Sequence, residues 1–139
     1  SSSDADDFAG FRGPRGREQD LRTQAGESST SQILAHLENA QSLVSKGDSK
    51  SLALAAARAK GSVSSMITEL ECIQAEAKEN KEKAKYNKIS LSLRDLQQMA
   101  KLFTKASGKA LKKTTLSAIV DKAAKRVKKY SSLVGEDVI

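Results

Sequence analysis

The sequence contains very little cysteine or histidine, with one residue of each, Cys72 and His36. A single cysteine excludes an intrachain disulfide and a cysteine-rich metal cage, and a single histidine excludes the two-histidine zinc motifs. A Cys–His catalytic pair would have to use these two residues, and no third group is indicated to orient them. No glycine-rich phosphate loop is present. We therefore expect a protein that is not an enzyme and that holds no cofactor or metal.

Long apolar runs are also absent. The chain has no stretch of about 18 or more apolar residues and no hydrophobic core of a signal peptide, so we expect no membrane contact. There is one proline and no tryptophan. Most of the abundant residue types, such as alanine, lysine, leucine and glutamate, favour helices. The first residue is Ser1 rather than methionine, so we expect a piece of a longer polypeptide.

The segment 1–28 differs in composition from the rest of the chain. Four glycines and Pro14 interrupt it, and no apolar periodicity runs through it. Such a segment buries too little apolar surface to offset the entropy cost of ordering. We therefore predict a disordered tail over 1–28, a helical domain over 29–135 and a short tail over 136–139.

Apolar residues recur at helical spacing in the predicted domain. The pattern predicts a first helix that is capped by one of the hydroxyl residues 29–31 and ends at Gly47. A second helical segment, 49–79, has Asp48 or Ser49 as its cap. It is either one helix or two helices broken at Gly61, since a glycine within a helix costs only about 1 kcal/mol relative to alanine.

The polar run 79–88 is either a solvated last helical turn or a loop. Ser92 is predicted to open a third helix, with Asp95 three residues later as a partial capping box, and Gly108 to end it. Cys72 borders the apolar stripe of the second segment and is interpreted as a small core residue. His36 has polar neighbours and is expected at the surface.

The last predicted helix begins at Thr114 or Thr115 and ends at Gly135, and Tyr130 lies on its apolar stripe. Four or five amphipathic helices with short connections predict an all-α fold, a compact bundle preceded by the disordered tail.

Two of the three phenylalanines of the chain lie in the tail. A disordered segment gains nothing from exposed rings by itself, so the rings next to aspartates suggest a docking peptide with aromatic anchors and steering charges. The alternative is a linker with incidental phenylalanines. The candidate partner-binding residues are Asp4, Asp6, Asp7, Phe8, Gly10 and Phe11.

The segment 4–11, DADDFAGF, resembles the acidic FxGF motif that binds the integrase-binding domain of lens epithelium-derived growth factor and its hepatoma-derived relative. The resemblance covers eight of 139 residues. The two preferred acids, the glycine and the two aromatics of the motif are matched by Asp4, Asp6, Gly10, Phe8 and Phe11. It implies a nuclear transcription or chromatin protein whose partner carries a helical domain of the TFIIS N-terminal fold.

The segment 114–136 resembles the closing helix of the integrase-binding domain itself, although many basic amphipathic helices look similar. This second resemblance leaves open whether tail and bundle bind each other.

The segment 101–130 carries ten lysines and arginines against Asp121 alone. Such a segment binds phosphates or an acidic partner in a salt-dependent way, or it is a solvated helix face. Few aromatics and a predominance of lysine argue against base stacking and base-edge readout. The candidate residues for this contact are Lys112, Lys113, Lys122, Lys125, Arg126, Lys128 and Lys129.

Three hypotheses follow. The first is a non-catalytic interaction module in which the tail docks through Phe8 and Phe11 while the bundle binds protein partners. The second is a nucleic-acid-binding helical domain that uses 101–130 for weak, non-specific contact. The third is a structural oligomerisation bundle. The oligomeric state is not determined by the sequence.

Overall fold

The computed structural model describes residues 29–107 and 112–135, which form four α-helices and no strand. The helices are α1 (Ser29–Lys46), α2 (Ser49–Glu79), α3 (Lys83–Ser107) and α4 (Lys113–Val134). The predicted all-α fold is therefore confirmed. The tail motif 4–11 and the predicted helix end at Gly108 lie outside the described residues.

The connection between α1 and α2 is short and is built as the sequence predicts. Gly47 has a φ of 78°, a left-handed conformation that a glycine adopts without steric cost. Asp48 caps α2, since its carboxylate accepts from the backbone N–H of Ser51 at 3.1 Å. Hydrogen bonding from Ser51, first from its side chain and then from its backbone N–H, lowers the pKa of Asp48.

The expected cap of α1 at residues 29–31 is wrong, because these residues lie inside the helix. The Ser29 hydroxyl instead donates to Glu69 of α2 at 2.9 Å, and Thr30 is fully buried.

Segment 49–79 is one continuous helix. Gly61 lies in its middle, is exposed, and has no neighbouring atom within 4 Å of a Cβ built on it. Nothing therefore requires a break at Gly61, and the helix tolerates the small intrinsic cost of the glycine.

The turn between α2 and α3 has no glycine. Lys81 adopts a φ of 59°, and the N–H groups of Lys81 and Glu82 donate to the carbonyls of Lys78 and Ala77. This pair of bonds is a Schellman ending, in which a left-handed residue satisfies the last carbonyls of a helix. Lysine takes the place that glycine usually occupies.

The predicted start of the third helix at Ser92 is wrong, because α3 begins nine residues earlier at Lys83. Most of the polar run 79–88 is therefore helical. Ser92 is buried inside α3 and donates its hydroxyl to the Lys88 carbonyl at 3.0 Å, the intrahelical bond that serine makes within a helix. Asp95 is consequently not a capping residue and contacts α4 instead.

Neighbouring helices run antiparallel. Gln74 of α2 donates to the Ser90 hydroxyl of α3 at 2.8 Å, close to the turn that joins these helices. Gln41 near the end of α1 donates to the Ser117 carbonyl at the start of α4 at 3.2 Å. α2 contacts all three other helices, and the contact between α3 and α4 is smaller than those that α4 makes with α1 or α2. The fold is an up–down–up–down bundle.

The core collects apolar side chains from all four helices. Phe103 is its largest fully buried side chain, and Tyr130 is 8% exposed, as its place on the stripe predicts. Cys72 is exposed, so its interpretation as a core residue is wrong; it falls just beside the stripe of α2. His36 is exposed, as expected. Buried residues of this core include Leu37, Val44, Val63, Met66, Leu70, Ile89, Leu96, Leu116, Val120 and Val127.

Candidate interaction surfaces

A polar cluster joins α3 to α4. The Asp95 carboxylate accepts from Arg126 Nε at 2.8 Å and from the Tyr130 hydroxyl at the same oxygen, Oδ2. The Asp95 and Arg126 side chains are 31% and 35% exposed, so the pair is partly screened by solvent. Burial raises the pKa of Tyr130 to about 12, and the hydrogen bond to the Asp95 carboxylate acts in the same direction.

The edge of α3 that faces α4 carries two exposed leucines. Leu91 is 64% exposed and Leu102 is 41% exposed. At 3.6 residues per turn, Leu91, Asp95, Gln98 and Leu102 fall within an arc of about 60°. Since Asp95 reaches α4, the whole stripe lies along that edge. Sequence periodicity does not mark these leucines, because Leu91 precedes the predicted third helix and Leu102 lies outside its predicted inner face.

The opposing edge of α4 is cationic. Lys122, Arg126, Lys129 and Leu133 have the same i, i+4, i+7, i+11 spacing and also fall within an arc of about 60°. Arg126 bonds to Asp95, which places this stripe on the side of α3. Lys129 Nζ lies 5.9 Å from the centroid of the Tyr130 ring, on the same side of the helix. We call the surface between these two stripes the α3–α4 groove.

One end of the groove opens into a cleft of ≈ 440 Å³. Ala84 and Lys88 of α3 and Leu133 of α4 line it, together with Ile73 and Glu76 of α2. Because residues of α2 line the cleft between α3 and α4, α3 and α4 are separated at this end of the groove, and α2 forms the floor of the cleft.

The seven predicted basic residues do not share one surface. Arg126 is held by Asp95, and Lys125 pairs with Asp121 at 3.2 Å. Lys128 lies about a third of a turn around α4 from Lys122. The other predicted residues, Lys112, Lys113 and Lys129, are exposed, the first two at the start of α4.

The described residues contain no group of three or more His, Cys, Asp or Glu side chains placed to hold a metal ion. Within the same residues, no helix has the length and hydropathy needed to span a membrane.

Comparison with protein-family models, with curated proteins and with solved structures found no match to this chain.

Proposed function

We propose that the chain is a non-catalytic interaction module of a nuclear transcription or chromatin protein, and that its tail docks through Phe8 and Phe11 into a helical domain of the TFIIS N-terminal type. The observation that carries the proposal is the sequence of residues 4–11, where two aromatics and a glycine follow a group of aspartates. Aromatic anchors contribute most of the affinity in such contacts, and charges set the encounter rate and the register.

The composition of the core supports this role for the tail. The described residues already supply a buried core from all four helices, and Phe103 is its largest fully buried side chain. We therefore expect the stability of the bundle to be independent of the two tail phenylalanines, which leaves their apolar surface for a partner.

The test titrates the full chain, labelled with ¹⁵N, with an integrase-binding-type helical domain. We expect chemical-shift changes confined to about the first dozen residues. Phe8→Ala combined with Phe11→Ala removes two anchors and lowers the affinity at least about hundredfold, while helicity by circular dichroism stays unchanged. An affinity unaltered by the double substitution contradicts the proposal.

Charge gives a second arm with a matched control. Asp4→Asn with Asp6→Asn lowers the affinity about tenfold or less, mainly through slower association. Glu18→Gln with Asp20→Asn removes the same charge outside the motif and has little effect. Equal effects of the two pairs would mean that only net charge matters and that the motif has no register.

A second candidate function is weak nucleic-acid binding by 101–130, favoured by the exposed lysines of α4. A mobility shift whose affinity falls steeply with salt supports it. A stable oligomer in light scattering would instead support a structural bundle.

A further inference from the structure

We propose that the α3–α4 groove binds an acidic amphipathic helix of a partner protein. This binding site is separate from the tail motif 4–11 and does not depend on it. Its basis is the combination of two exposed leucines on one edge, a cationic stripe on the other, and a cleft at one end that is lined by both apolar and charged side chains.

The apolar part of the groove is arranged for a long, linear contact. Leu91 and Leu102 are 11 residues apart, which is about 16 Å along the helix axis. Leu133 adds an apolar side chain from α4 at the cleft end. An amphipathic helix presents apolar residues over the same distance at i, i+4, i+7 and i+11, and each of these can pack against the leucines.

The charge of the groove specifies the sign of the partner's charge. Lys88, Lys122 and Lys129 are exposed along it, and none of them has an ion pair within the described residues. The Asp95 carboxylate is already occupied by Arg126 and Tyr130. Glu76 at the cleft end offsets one of these charges, so the groove keeps an excess of positive charge beside apolar surface. Acidic residues flanking an apolar stripe complement both features.

The secondary structure of the partner follows from the hydrogen bonding of the groove walls. Both walls are helices whose backbone groups bond within each helix, so an extended peptide finds no strand edge with which to pair. A helix satisfies its own backbone and needs only side-chain contact. Nucleic acid is a poorer fit because phosphates gain nothing from the leucines that lie opposite the cationic stripe.

The test uses the full chain and a synthetic amphipathic helix of about 18 residues, which matches the length of the groove. Its apolar face carries leucines at the four spacings, flanked by glutamates, and a control peptide has lysines in place of the glutamates. We expect saturable binding of the acidic peptide with a dissociation constant on the order of 10–100 µM, at least about tenfold weaker binding of the basic peptide, and ¹⁵N shift changes centred on α3 and α4.

Matched variants separate the groove from the general surface. Leu91→Ser with Leu102→Ser lowers the affinity at least about tenfold, whereas Leu54→Ser, at a leucine of α2 that is also 41% exposed, changes it less than about twofold. Lys122→Glu with Lys129→Glu likewise lowers it, and Lys50→Glu with Lys60→Glu, an equal change of charge on α2, has a smaller effect. Unchanged circular dichroism shows that each variant folds.

Four results would overturn the proposal. One is an equal effect of the groove leucines and Leu54. Another is duplex DNA that binds more tightly than the acidic peptide and is insensitive to Leu91→Ser with Leu102→Ser, which assigns the cations to nucleic acid. A third is a peptide of residues 1–12 that displaces the acidic peptide and binds the groove more tightly than the acidic peptide does, which assigns the groove to the tail. Dissociation of a dimer by the leucine substitutions assigns it to a second copy of the chain.

Discussion

Asp95→Ala removes the one carboxylate that, among the described residues, joins α3 to α4 in the middle of the groove. It deletes the ion pair with Arg126 at 2.8 Å and leaves the hydroxyl of Tyr130, a residue only 8% exposed, without its acceptor. A hydrogen bond to a charged group contributes about 1.5–3 kcal/mol, and the solvent exposure of Asp95 reduces the ion-pair part. We expect a loss of about 2 kcal/mol in the free energy of unfolding.

Urea unfolding followed by circular dichroism measures this loss, and a constant m-value shows that the change is one of stability. Asp121→Ala is the matched control, because Asp121 makes a single i, i+4 pair with Lys125 and is 60% exposed; we expect less than about 0.5 kcal/mol. Tyr130→Phe costs about 1 kcal/mol.

The double substitution Asp95→Ala with Tyr130→Phe tests whether the two residues act together. Both single changes remove the same hydrogen bond, so the double variant should lose about 1 kcal/mol less than the sum of the two. Strictly additive losses, or an Asp95→Ala variant no less stable than Asp121→Ala, would refute the role assigned to this cluster.

Three further predictions concern two glycines, Tyr130 and Cys72. Gly61→Ala raises the free energy of unfolding by about 0.5–1 kcal/mol, because Gly61 is in mid-helix with open space around it. Gly47→Ala lowers the free energy of unfolding by about 1 kcal/mol, because Gly47 has a φ of 78°. Urea midpoints of the two variants that move in the same direction contradict this prediction. In an alkaline absorbance titration, Tyr130→Phe removes a step near pH 12. Folding raises the pKa of Tyr130 from 10.0 to about 12. The neutral form of Tyr130 therefore contributes stability that is complete below pH 10 and is lost as the pH rises towards 12. Cys72 is exposed, so a thiol reagent labels the native protein within a few-fold of the rate in urea; protection would place Cys72 in the core.

The helical stripes could be predicted because their physical cause is local. Residues spaced three and four apart lie on one side of a helix, so the stripe that contains Leu116, Val120 and Val127 identifies the buried face of α4 from sequence alone. Asp48 as a cap and Gly135, with a φ of 78° at the end of α4, follow equally from local backbone needs.

The start of α3 could not be predicted, because its boundary signals are unusual. Lysine rather than glycine takes the left-handed position at Lys81, so no turn residue marks the end of α2. Ser92 is typical of a helix start but is compatible with a helix interior when it bonds the carbonyl four residues back. As a result, the sequence predicts a third helix that excludes Leu91.

For the candidate sites, the proposed tail motif 4–11 depends on sequence alone, because a short docking peptide is defined by residue types in order. It also identified the basic segment, but only the packing of α3 against α4 decided which cations face the exposed leucines. Asp95 illustrates the difference: its spacing from Ser92 suggests a local capping role, and its actual partners, Arg126 and Tyr130, are more than 30 residues away. Sequence periodicity specifies which face of a helix is buried. The residues at the edges of that face contact other helices, and which helices they contact depends on how the helices are arranged around the core.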